Sequence, residues 1–358
     1  SVSRGLGDVY KRQVVDLLKA LISTPSVSRE EQAAADIIEN FLKARGCTTQ
    51  RCGNNVWTIA PGYSHERPTL LLNSHIDTVR PVDGWTRNPF LPDDDGERIY
   101  GLGSNDAGAS VVSLAAVFLL LSQRQQRYNL VFLASCEEEV SGKGGIEAVL
   151  PLLPKIDVAL VGEPTGMHPA VAEKGLMVLD GEIAGKSGHA ARDEGENAIY
   201  KALPMIERLR SLSFPLTSAH LGPVKISVTQ ISAGTQHNVV PDMCRIVVDV
   251  RTTDAYTNEQ TLEMIRQAVP FCKLTPRSVR LRPSGISEQH PIVRRLVIAG
   301  RKPFGSPTLS DQALMPFPSL KIGPGESARS HTADEYITYD EIREAIQIYF
   351  TTLDGLAL

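Results

Sequence analysis

Four groups of acidic and imidazole side chains share one kind of placement, at the ends of short apolar runs or tight turns. His75 and Asp77 end Leu70-Leu71-Leu72-Asn73-Ser74. Glu137, Glu138 and Glu139 end Leu130-Val131-Phe132-Leu133-Ala134, and Glu163 ends Val158-Ala159-Leu160-Val161. Asp106 follows the turn Gly101-Leu102-Gly103 and precedes an apolar stretch at Ala107. Carboxylates packed together repel one another and resist leaving water. A divalent cation relieves both problems. Zinc accepts imidazole nitrogen and carboxylate oxygen at about 2.0–2.2 Å, lowers the pKa of water to about 7 and polarises a carbonyl. Two such ions roughly 3.5–4 Å apart need a bridging carboxylate, and Asp106, short and beside a glycine-rich turn, suits that place.

Each group also has an ordinary structural alternative. His75 is as readily a satisfied strand-end histidine. A glutamate triplet commonly opens a solvated helix, because carboxylates favour helix N-termini. Asp106 could cap the following helix, and Glu163-Pro164-Thr165 could be a plain turn. Taken singly, all but His75 favour that alternative; their shared placement favours a metal site. Competing motifs fail. Asp106 stands where a dinucleotide fingerprint needs its last glycine, Gly185-Lys186-Ser187 lacks the earlier glycine of a phosphate loop, and there is no G-x-S-x-G elbow.

The apolar runs 55–60, 69–73, 129–134 and 158–161 read as short buried strands. Helical patterns lie at 14–21, 30–45, 107–121 and 144–150. Strands alternating with helices predict an α/β fold with a mostly parallel, doubly wound sheet. Sites in such sheets form beyond the carboxyl ends of the strands, so distant residues can converge there. The middle of the chain differs. Segments 176–183, 224–232 and 244–252 alternate apolar with polar, a helix is expected at 194–212, and Thr257-x-x-Gln260 is a capping box that opens another. With a last strand at 278–281 the order is β-α-β-β-α-β. The expected organisation is a catalytic domain of 14–175 plus 284–358, interrupted by an inserted domain at 176–283. The stretch Ser1–Gln13 looks foreign to the rest and is set aside.

The 358 residues, 42% hydrophobic, are ample for two domains. A net charge of −4 lacks the basic surplus that nucleic acids or anionic membranes require. The longest apolar run, Val111 to Leu121, is short of the roughly 20 residues of a membrane helix. No apolar stretch follows Arg4 as in a signal peptide, and five scattered cysteines without a CxxC pair predict a reducing cytoplasm.

The motifs Ser74-His75-Ile76-Asp77-Thr78-Val79, Gly101-Leu102-Gly103-Ser104-Asn105-Asp106, Glu137-Glu138-Glu139-Val140 and Gly162-Glu163-Pro164-Thr165 are followed by Gly188-His189-Ala190, Asp249-Val250-Arg251 and Ser330-His331-Thr332. In this order they resemble the dinuclear-zinc amidohydrolases that include acetylornithine deacetylase, succinyl-diaminopimelate desuccinylase, aminoacylase and the glutamate carboxypeptidases. The resemblance implies two divalent metals, zinc first with cobalt or manganese as alternatives. His75 and Glu163 would bind one, Glu139 and His331 the other, and Asp106 both. Asp77 would fix the His75 tautomer, and Glu138 would act as general base and acid. The inserted domain would be a lid and dimerisation domain. Its His189 would stabilise the oxyanion in the partner subunit's site of a homodimer, and Asn238 and Arg251 would grip the substrate carboxylate. Segments 172–180, 188–195, 306–311 and 321–325 are most similar to deacylases of ornithine and citrulline derivatives. The implied reaction is removal of an N-acetyl or N-succinyl group from such an amino acid, on the way to arginine. Desuccinylase, dipeptidase or carboxypeptidase activity on the same scaffold is the alternative, and a non-catalytic binding protein a further one. Asp106-Ala107-Gly108-Ala109 departs from relatives that carry Lys-Gly soon after the aspartate.

Overall fold

The apolar runs ahead of the acidic groups are parallel strands. The backbone is described from residue 8 and the side chains from residue 12 in this computed structural model. The chain divides into two units. The first takes it up to Val171, then Gly285–Phe304 and Ser310–Leu358; the second takes Ala172–Ser284 and Gly305–Leu309.

In the first unit, helices α1 (Asp8–Ile22) and α2 (Gln32–Lys43) precede strands β1 (Thr49–Cys52), β2 (Asn55–Ile59), β3 (Thr69–His75) and β4 (Arg98–Tyr100). Helix α3 (Ala109–Ser122) and strands β5 (Asn129–Ser135) and β6 (Val158–Val161) follow. The main sheet has the order β1-β2-β5-β3-β6 and continues through the strand Ser319–Lys321. Strands β5, β3, β6 and Ser319–Lys321 are parallel neighbours, while β2 pairs antiparallel with β5. Every residue of β3, β5 and β6 is buried, as parallel strands covered on both faces must be.

Helix α3 is apolar all round and buried from Ala109 through Leu121, which is how a helix at the centre of a core reads. Together with the turn before it, Ser104–Ser122 is long and apolar enough to cross a membrane by length and composition, and 94% of its apolar window is buried inside the protein. The apolar run alone had looked too short because it omits that turn. Leu114 is fully buried in this core. Leu114→Ala is expected to cost about 2–5 kcal/mol of stability by leaving a cavity, measured by denaturant unfolding.

Residues 1–7 of the stretch that looked foreign lie outside the described residues. Residues 8–13 open α1, which begins earlier than the predicted Val14. Val14, Leu17, Leu18 and Ile22 are buried, and a helix anchored by such a face extends at little cost once nucleated.

The second unit has strand β7 (Gly175–Ala184), helix α4 (Ala198–Ser211), strands β8 (Lys225–Ala233) and β9 (Met243–Thr252), helix α5 (Asn258–Ala268) and strand β10 (Lys273–Pro276). Its antiparallel sheet runs β8-β9-β7-β10, in the predicted β-α-β-β-α-β sequence. Thr257 and Gln260 form the expected capping box. The last strand differs from expectation: it is 273–276, not 278–281. The paired register with β7 ends at Pro276; beyond it the Arg277 amide donates to the Val178 carbonyl at 2.9 Å and the Leu281 carbonyl accepts the Leu176 amide at 3.0 Å. The carbonyls of Val279 and Leu281 also accept the Asn258 side-chain amide, at 3.0 and 2.8 Å.

Candidate metal centre

Parallel pairing brings the strand ends together. His75 is in register with Ser135, and Asn73 with Val161, so the segments after β3, β5 and β6 leave one edge of the sheet side by side. Asp106 comes from the turn before α3. It has extended backbone angles (φ −119°, ψ 96°), and α3 is entered at Gly108 with no side-chain cap. The ordinary alternative for Asp106, a helix cap, therefore does not hold. Nor does the glutamate triplet open a solvated helix. Glu137 has a positive φ of 56°, and Glu138–Val140 is a single tight turn.

The side chains converge on Asp106. Its Oδ1 lies 3.2 Å from His75 Nε2, and its Oδ2 lies 3.6 Å from His331 Nε2. His75 Nε2 is also 3.7 Å from Glu163 Oε1 and 3.9 Å from Glu138 Oε2, and His331 Nε2 is 3.0 Å from Glu139 Oε2. One candidate ligand atom each from His75, Asp106 and Glu139, and likewise from His75, Glu138 and Glu163, lie within 4.8 Å of one another.

The electrostatics of this cluster are those of a site built around positive charge. Burial, with Glu163, Asp311 and Glu139 nearby, pushes the Glu138 carboxyl well above its usual range, against the pull of His75. Burial likewise pushes Glu163 up to about 8. Burial alone would favour a neutral His75 ring, but Glu138, Asp106, Asp77 and Glu163 outweigh it and hold its pKa well above the ordinary value. The hydrogen bond with Glu139 raises His331 to about 9 against its burial. Imidazole nitrogens and carboxylate oxygens in one pocket, too many of them acidic to ionise together unaided, are the donor set that divalent zinc, cobalt or manganese accepts.

Asp77 does more than the sequence suggested. Its carboxylate is 3.5 Å from His75 Nδ1, whereas its own main-chain carbonyl lies 2.9 Å from that nitrogen. The carboxylate instead accepts the amides of Glu138 (3.0 Å) and Glu139 (3.1 Å) and the Ser28 hydroxyl (2.7 Å). It therefore holds the turn that carries both glutamates.

Two buried carboxylates escaped the sequence reading. Asp311 accepts the Ser135 hydroxyl at 2.5 Å, and burial pushes it up to about 6. Glu335 accepts main-chain amides of the Asp106 loop, and burial pushes it up to about 7. Their sequence signal was proximity alone: Asp311 lies in the 306–311 segment and Glu335 just beyond His331.

His189, Asn238 and Arg251 belong to the second unit. His189 is exposed, and its Nδ1 accepts the Ala191 amide at 3.1 Å. The Asn238 carbonyl accepts the Ala190 amide at 3.0 Å, and the Gly188 carbonyl accepts the Val240 amide at 2.9 Å. The chain thus sets His189 and Asn238 on paired segments. The Arg251 guanidinium is held by both oxygens of Asp249, at 2.9 and 3.1 Å.

A family profile described as Peptidase family M20/M25/M40 matches residues 71–355. Acetylornithine deacetylase of Klebsiella pneumoniae is 27% identical over 365 residues, covering 90% of this chain and 92% of that protein. Succinyl-diaminopimelate desuccinylase of Dinoroseobacter shibae is 30% identical over 271 residues, covering 70% and 71%. Among solved structures, the aminopeptidase PepT of Bacillus cereus superposes with a TM-score of 0.78 at 17% identity, covering 96% of this chain and 98% of that one. The Bacillus subtilis YXEP protein, a dinuclear metal binding peptidase, gives 0.73 at 17% identity, covering 97% and 99%. With the profile spanning most of its length, the chain belongs to peptidase family M20/M25/M40 and is a hydrolase of the metallopeptidase type.

Proposed function

We propose that this protein is a metal-dependent deacylase that hydrolyses the amide of an N-acyl amino acid, with N-acetylornithine and N-acetyl- or N-succinylcitrulline as its substrates in arginine synthesis. The observation that carries the reading is Asp106, whose two oxygens face the imidazoles of His75 and His331 separately. In this reading His75 and Glu163 hold one cation, Glu139 and His331 hold the other, and Asp106 is shared. Zinc suits the donors, with cobalt or manganese as alternatives. When bound, the cations supply Lewis acidity toward the amide carbonyl and make water more acidic.

The chain's own residues do the rest. Glu138 takes a proton from the attacking water and returns one to the leaving amine. Asp77 keeps Glu138 and Glu139 in place through their amides. In the neutral His189 ring the acceptor role of Nδ1 leaves the proton on Nε2, a donor suited to the developing oxyanion. Asn238 and Arg251 recognise the substrate carboxylate. Arg251 is already engaged by Asp249, so it binds with its remaining donors. A cytoplasmic setting accords with the free state of Cys47, Cys52, Cys136, Cys244 and Cys272.

The second unit would be the lid and dimerisation domain. Strand β8 is an edge strand whose last residues are exposed, and α4 exposes Ile199, Tyr200 and Leu203. Sheet edges and apolar surface of this kind call for a cover, here a second copy. If His189 acts across such a dimer, mixing inactive His189→Ala with inactive Glu138→Gln protein should restore part of the activity. Each mixed dimer then has one site carrying both defects and one carrying neither. Exchange of subunits without recovery would count against this arrangement.

The substrate is tested by a release assay. N-acetylornithine, N-acetylcitrulline and N-succinylcitrulline are compared with N-succinyl-diaminopimelate and dipeptides, with added metal. Preference for the diaminopimelate derivative would replace the reading with the desuccinylase one, which the similarity to desuccinylases keeps in play.

A further inference from the structure

Glu335 touches no candidate ligand atom of the cluster, yet it holds the loop that carries the shared one. The residue is 2% exposed. One oxygen accepts the amides of Asn105 and Asp106, both at 2.8 Å, and the other accepts the amide of Gly103 at 3.0 Å. The Glu335 main-chain carbonyl accepts the Gly101 amide at 2.9 Å. Glu335 leads directly into the strand Tyr336–Thr338, which pairs with β4 just before this loop. A second tie runs through Asn105. Its side-chain amide donates to the Glu326 carbonyl (3.1 Å), and its oxygen accepts the Glu326 amide (3.0 Å). The Asp106 loop is thereby bound on both sides to the segment that contains His331.

We infer that Glu335 is a positioning residue for the metal centre: its carboxylate fixes the Asp106 loop against the chain around His331 and so sets the spacing between the bridging carboxylate and that imidazole. The inference rests on the reading of Asp106 as the shared ligand. Three N–H groups converge on one side chain, so the chemistry demands an acceptor at every point. A carboxylate offers only acceptors, whereas a glutamine would turn its NH2 toward at least one N–H. Asp77 does the same for Glu138 and Glu139. Both turns thus hang from a buried carboxylate, and Asp106, anchored at its own amide, is held to the segment that carries His331.

The test uses chelator-stripped protein titrated with Co2+, read by the visible absorption of the bound ion and by the number of ions bound, beside kcat and KM of the reloaded enzyme. Glu335→Gln is compared with Tyr128→Phe. The latter loses a buried hydrogen bond to the Leu353 carbonyl, at the amino end of β5, the end opposite the glutamates. Partners that orient metal ligands typically contribute about 10–100-fold in affinity or activity. Glu335→Gln is expected to bind both Co2+ equivalents about 10–100-fold more weakly and to lower kcat with KM little changed, whereas Tyr128→Phe lowers only thermal stability. Glu335→Asp, which keeps the acceptors on a shorter arm, is expected to fall between; should the glutamine variant fail to fold, the aspartate variant is read in the same way. Wild-type Co2+ affinity and spectrum in a variant whose melting temperature alone has fallen would overturn the inference and leave the metal-centre reading intact. A wild-type protein that binds no Co2+ would overturn both.

Discussion

Glu138→Gln is expected to keep both metal ions and to lose about 10²–10⁴-fold in kcat, the contribution of a positioned general acid–base group. The substitution preserves shape and removes the ability to accept a proton. The Glu138 side chain is nearly buried (11% exposed) beside His75, and its amide is pinned by Asp77, so glutamine occupies the same place. The test is sharp because Glu138 also falls among the potential ligand atoms with His75 and Glu163. Retained metal with turnover near wild type would remove Glu138 from proton transfer. Loss of one ion with the activity would make it a ligand instead.

Chelation of the wild-type protein is expected to abolish turnover and to lower stability together. A ligand present at 100 times its Kd stabilises the folded state by about 2.7 kcal/mol, so two sites at that saturation contribute about 5 kcal/mol. Turnover and stability should both return when metal is added back. Asp106→Ala should show neither return, since each half of the cluster faces one of its oxygens. Recovery of either ion at wild-type affinity in Asp106→Ala would show that Asp106 is not shared. Stability is followed by thermal melting and binding by calorimetric titration.

The parts of this architecture legible in the sequence are those set by local pattern. Fully apolar runs mark β3, β5 and β6 because buried parallel strands tolerate nothing else, and the functional side chains at their ends follow from the direction of such strands. Thr257 and Gln260 announce α5 because a capping box is a contact within one turn. Asp311 and Glu335 stayed hidden because their meaning comes from distant partners. Glu335 bonds to amides more than 225 positions away, and nothing in a lone buried glutamate says which amides it meets. Asp77 was half legible: the family resemblance tied it to His75, but only the folded chain reveals the amides of Glu138 and Glu139 under its carboxylate. The misplaced strand at 278–281 has a related cause. Alternation there fits a strand equally well, and the carbonyls of Val279 and Leu281 are held by Asn258, a distant contact that periodicity does not report.

The central claim is tested most directly by counting metal in the wild-type protein after mild purification, with turnover of N-acetylornithine measured on the same sample before and after exhaustive chelation. The account predicts two divalent transition-metal ions per chain and activity that vanishes with them. A preparation that holds no such ion, or that works undiminished once stripped, would contradict it.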